Sequence, residues 1–73
     1  MTNQHWQDTL TALMAAPTEE AFQALRDRVN EESVTRIEDR RGQYIVCSAP
    51  IGRGDYRHHF LLRQYADGVW RKE

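Results

Sequence analysis

The sequence predicts an α+β fold: an N-terminal antiparallel helical hairpin packed on one face of an antiparallel β-meander of three to four strands, in the order ααββββ. Three observations predict it. Residues 1–32 repeat their apolar side chains with the 3.6-residue period of a helix. Residues 33–73 change to period-two alternation rich in β-branched and aromatic side chains. Glycine-bearing turns join those alternating runs, as hairpins require.

The first helix is expected over residues 3–16. Its large apolar residues Trp6, Leu10, Leu13 and Met14 fall at i, i+4, i+7 and i+8, a single stripe. Thr2 or Asn3 caps its start, and Pro17 ends it, because proline disfavours helical backbone at the residue before it. Thr18 then caps a second helix, with Glu19 and Glu20 in the first turn, where negative charge favours the helix dipole. Ala21, Phe22, Leu25 and Val29 form its stripe. A link of two or three residues forces the two helices antiparallel.

Strands are expected over residues 34–39, 43–49, 56–65 and 69–71. Arg40-Arg41-Gly42 and Ala66-Asp67-Gly68 read as three-residue turns, and residues 50–55 (PIGRGD) as a looser loop. Pairing Tyr65 with Val69 sets Gln64 opposite Trp70 and Leu62 opposite Lys72, so Tyr56, His58, Phe60, Leu62 and Trp70 share a face. Pairing Asp39 with Gln43 puts Thr35, Ile37, Ile45 and Cys47 on one face of the first hairpin. These two sets are the most apolar and are assigned to the helix-covered core. The opposite face then carries Val34, Arg36, Glu38, Tyr44 and Val46 from the first hairpin. From the second it carries Arg57, His59, Leu61, Arg63, Tyr65, Val69 and Arg71.

At 73 residues the chain suits one domain, divided into the hairpin (1–32) and the sheet (33–73), with a thin stability margin that a partner would widen. Its net charge of −1 gives no global attraction to nucleic acid or anionic lipid. The charges are uneven: residues 1–32 balance to −4 and residues 33–73 to +3. Nine of the ten basic residues are arginine, whose planar donor fork suits interfaces better than lysine does. Cys47 is the only cysteine, so an internal disulfide or a cysteine-based metal site cannot form within one chain, and a reducing cytoplasm is expected. The N-terminal residues do not resemble a signal peptide, and no apolar run approaches a membrane span.

Chemical motifs are sparse. His58 and His59 point to opposite faces of a strand and cannot reach one ion, so no metal and no cofactor is expected. A Cys47–His58 nucleophile pair would need an accessible, electropositive pocket, and a buried structural cysteine fits better. Glu38 and Asp39 are adjacent and point apart, which does not suit paired acid–base work. The GxG and Arg-Gly-Asp tripeptides of the 50–55 loop precede a strand rather than a helix and read as a flexible turn. No small-molecule substrate is evident. The expectation is a non-catalytic interaction or regulatory protein of adaptor or inhibitor type, bacterial or phage in character. It docks a protein partner, or itself as a homodimer, through the open sheet face or a sheet edge. Arg36, Tyr44, Arg57, His59, Leu61, Arg63, Tyr65 and Arg71 are the expected contacts, because interface cores favour tyrosine and arginine. Two alternatives stand beside it: a single-stranded nucleic-acid module using the same face, and an ordinary exposed sheet with no dedicated site.

Overall fold

The computed structural model describes residues 4–73. Two helices, α1 (Gln4–Ala15) and α2 (Glu19–Glu32), precede four strands, β1 (Arg36–Arg41), β2 (Tyr44–Pro50), β3 (Arg57–Gln64) and β4 (Trp70–Lys72). The strands form one antiparallel sheet in chain order. The expected ααββββ arrangement is the one observed. The proposed caps Thr2 and Asn3 lie outside the described residues. Thr18 caps α2 with extended backbone and accepts a 3.1 Å hydrogen bond from the Ala21 N–H.

The apolar stripes of both helices meet one face of the sheet. Leu10, Leu13 and Phe22 are buried against Ile37, Ile45, Cys47, Leu62 and Trp70, with Trp6, Leu25, Val29 and Phe60 packed around them. Polar bonds fix the stack at both sides. The Trp70 indole N–H donates to Thr11 Oγ1 (3.0 Å), and Arg40 donates to the carbonyls that end α1.

The register of the second hairpin is the expected one, Gln64 opposite Trp70 and Leu62 opposite Lys72. Gly68 supplies the positive φ of its three-residue turn, +85°. The first hairpin differs. Arg41 pairs with Tyr44, so the loop is the two-residue Gly42-Gln43 and not Arg40-Arg41-Gly42. Gly42 has φ +57° at the first central position, the signature of a II′ turn. A β-bulge at Glu38 restores the phase, so Ile37 and Ile45 still share the core face. Strand β1 consequently runs two residues further than expected. Arg40 faces the helices, and Asp39 and Arg41 share the open face with Val46 and Tyr44.

Three residues assigned to the core lie elsewhere. Tyr56 is 79 % exposed, His58 is exposed and stacked on Phe60, and Thr35 precedes β1 and is half-buried. Thr35 and Tyr56 lie outside the strands, and His58 lies near the start of β3, whose 8 residues span about 27 Å against about 18 Å for the 12-residue α1. The hairpin therefore covers only part of the strands.

Candidate interaction face

The face turned away from the helices is built by strand pairing into cross-strand rows. In the first row Arg41, Tyr44, Arg63 and Arg71 lie side by side on β1 to β4. In the second, Asp39, Val46 and Leu61 are paired neighbours, and Glu73 joins them by donating its N–H to the Leu61 carbonyl (3.0 Å). The third row is Arg36, Ser48 and His59. Beyond the arginine row, Tyr65 meets Val69 through a 2.9 Å backbone bond. Charges thus flank an aliphatic and aromatic centre. Leu61 stands 39 % exposed on it, and Tyr44, Val46, Tyr65 and Val69 are half-buried without a covering layer.

Arg63 and Arg71 are held in place by neighbouring side chains. They set their guanidinium carbons 4.7 and 5.2 Å from the centre of the Tyr65 ring, where the ring's negative face attracts a cation. Arg71 also grips Asp67 through two hydrogen bonds (2.6 and 3.2 Å). Those bonds, with one from the Val69 N–H, hold the Asp67 carboxyl below its usual range. The turn is therefore tightest above the ordinary carboxylate pKa and loosens as pH falls through the lowered one. Arg63 Nε lies 3.1 Å from Glu73 Oε2 but makes no linear hydrogen bond to it, so the pair is electrostatic. Tyr65 first and Glu73 second raise the Arg63 guanidinium above its ordinary value.

Arg57 is turned inward. It donates to Ser48 Oγ (2.8 Å), to the Ser48 carbonyl (2.9 Å) and to the Val34 carbonyl (2.9 Å). The buried Ser48 hydroxyl in turn donates to Glu38 Oε1 (2.6 Å). Glu38 is the bulged residue, so this network pins the irregular part of β1 to β2 and β3. Of the eight residues expected to form the face, Tyr44, Leu61, Arg63, Tyr65 and Arg71 come together. Arg36 and His59 form its far end, and Arg57 serves the sheet itself. Sequence reasoning missed Asp39, Arg41, Ser48 and Glu73. Period-two alternation along β2 and β4 points to Ser48 and Glu73, whereas the bulge hides Asp39 and Arg41.

Both sheet edges are closed by carboxamides from the helices. On β1, Asn30 accepts from the Ile37 N–H (2.8 Å) and donates to the Ile37 carbonyl (2.9 Å). On β4, Gln7 accepts from the Trp70 N–H (2.7 Å) and donates to the Trp70 carbonyl (3.0 Å). Each amide copies the donor–acceptor pair of a neighbouring strand and so blocks edge pairing at that residue.

Cys47 is fully buried. Burial first, and the Glu38 carboxylate second, push its thiol up to about 12. At neutral pH it stays protonated and poorly nucleophilic. A thiol-directed maleimide is expected to leave the folded protein unlabelled and to label it once urea unfolds the chain, as read by mass spectrometry. Rapid labelling without denaturant would show that the thiol is accessible. A concavity of about 470 Å³ lies between the start of α1 and the end of α2, over Trp6, Leu25 and Val29. Neither Cys47 nor His58 lines it. Among the described residues no group of three or more His, Cys, Asp or Glu side chains is arranged to hold a metal ion, and no helix is long and apolar enough to cross a membrane. The chain matches no protein-family model, no curated protein and no solved structure in the comparisons made with them.

Proposed function

We propose that this chain is a non-catalytic protein-interaction module, of the adaptor or inhibitor kind, that docks a protein partner through the uncovered face of its sheet. One observation carries the reading: an apolar centre of Tyr44, Val46, Leu61 and Tyr65 lies uncovered between fixed charges of both signs. That is the composition of a protein interface, with aromatic and arginine anchors and little lysine. The face is favoured over the edges because Asn30 and Gln7 already occupy backbone groups of β1 and β4. The single reduced cysteine suits work in the cytoplasm.

Single-stranded nucleic acid is the weaker occupant. Glu38, Asp39, Asp67 and Glu73 interrupt the arginines, and two guanidinium groups already contact the Tyr65 ring. Phosphate binding needs a more uniform positive field.

Affinity capture from the native cell tests the reading. Immobilised protein is expected to retain a partner that Leu61→Asp loses, since the apolar side chain at the centre is replaced by a carboxylate that must shed its water to dock. Binding should weaken by at least about tenfold. A charge reversal on the outer helix surface, Glu20→Lys, should retain the partner. Equal capture by the wild type and Leu61→Asp would refute docking through this face.

A further inference from the structure

Of two aligned twofold operations that set the open face against its own copy, one matches opposite charges and the other like charges. Two sheets packed face to face are related by an axis lying in the plane between them, either along the strands or across them. An axis along the strands sets β1 over β4 and keeps each row over itself. Arg41 then meets Arg71, and Asp39 meets Glu73, like charge on like. An axis across the strands, passing midway between the arginine row and the acidic-aliphatic row, sets each strand over its own copy and exchanges the two rows. Arg41 then meets Asp39, Arg71 meets Glu73, Tyr44 lies over Val46 and Arg63 over Leu61. His59 in the third row comes over Tyr65. Within the two exchanged rows, each charged position on the edge strands β1 and β4 finds its opposite.

We infer that the partner on this face is a second copy of the chain, related by the twofold axis that runs across the strands between those two rows. This rests on the docking reading above and names its occupant. The existing pair Arg41–Asp39 (3.6 Å) places both signs at adjacent positions along β1, which is what an exchange of neighbouring rows requires, and Arg63–Glu73 (3.1 Å) joins the same two rows diagonally between β3 and β4. Size agrees with a weak, reversible dimer. The two exchanged rows and the His59–Tyr65 overlay fill positions about 4.8 by 6.8 Å each, a footprint of roughly 330 Å² per copy. Two copies then bury on the order of 650 Å², the size of a transient contact that forms at high concentration.

Light scattering after size exclusion, across micromolar to millimolar protein, tests the inference. Wild type is expected to move from the 8.6 kDa chain mass toward twice that value as concentration rises. Asp39→Arg and Arg41→Asp should each weaken self-association by at least about tenfold, because each sets like charges opposite one another. Mixed in equal amounts, the two variants should recover the dimer, since every reversed charge then faces its opposite. Circular dichroism checks that each variant is folded. Should either fail to fold, Arg71→Glu mixed with Glu73→Arg puts the same question at the other edge.

A wild type that keeps the single-chain mass at millimolar concentration would overturn the inference, as would single variants that dimerise like the wild type. Capture that still depends on Leu61 would in that case leave the docking reading standing with a different partner. Loss of both would remove the two together.

Discussion

Replacing Arg40 with methionine is expected to lower the melting temperature by about 10–20 °C, from a loss of about 2–3 kcal/mol. The guanidinium sits on the helix-facing side of β1, opposite Ile45, with its centre 4.9 Å from that of the Phe22 ring. It donates to the carbonyls of Leu13 (3.1 Å), Met14 (3.2 Å), Ala16 (2.9 Å) and Thr18 (3.4 Å). The Met14 and Ala16 carbonyls are groups that the end of α1 leaves without helical partners, those of Leu13 and Thr18 also accept from the Ala16 and Phe22 N–H groups, and a cation at the end of α1 opposes the negative end of its dipole. Methionine keeps much of the apolar stem and loses every donor. Arg40→Lys should recover less than half of the loss, because one ammonium cannot span four carbonyls. Thermal melts by circular dichroism measure both. A fall below about 3 °C for Arg40→Met would mean that water replaces the side chain at little cost.

Asn30→Leu is expected to cost about 2–4 kcal/mol, because it strands two backbone groups at once. Ile37 is 1 % exposed, and both its N–H and its carbonyl face the Asn30 amide rather than β2. Leucine conserves volume and offers neither donor nor acceptor. Asn30→Asp keeps the acceptor for the N–H while turning an oxygen toward the carbonyl, so it should fall between the two. Gln7→Leu removes the corresponding cover from Trp70 on β4. Urea unfolding should show a lower midpoint at an unchanged slope. The uncovered edges should also raise light scattering on storage, as unpaired strands invite pairing between molecules. An Asn30→Leu protein as stable as the wild type would show that the amide does not support the edge.

The helices and the second hairpin were legible because each rests on local chemistry. Pro17 and Thr18 punctuate the helical hairpin, and Gly68 fixes the turn that sets Gln64 against Trp70. The first hairpin was not, because Arg-Arg-Gly-Gln admits glycine either at the end of a three-residue loop or at the start of a two-residue turn. The bulge at Glu38 that reconciles the two-residue turn with an apolar Ile37 has no local marker; it forms because Ile37 must face the helices and Glu38 finds Ser48 and, through it, Arg57. Its effect on the face is large. With Asp39 and Arg41 brought onto it, a surface read as basic becomes one of mixed sign. His58 alternates toward the helix side but stands exposed beyond the helical cover, and Tyr56 lies in the loop before β3. The amides of Asn30 and Gln7 could not be read as edge covers, since that role depends on which residues β1 and β4 point outward.

Hydroxyl-radical footprinting of the protein with its partner bound, whether a second copy at high concentration or a captured protein, reports most directly which surface is used. Leu61, Tyr44 and Tyr65 are expected to become protected, while Tyr56 and the cleft at Trp6 react as in the free chain. Protection at Tyr56 or Trp6 with Leu61 and Tyr65 unchanged would place the partner on the helix side and contradict the assignment.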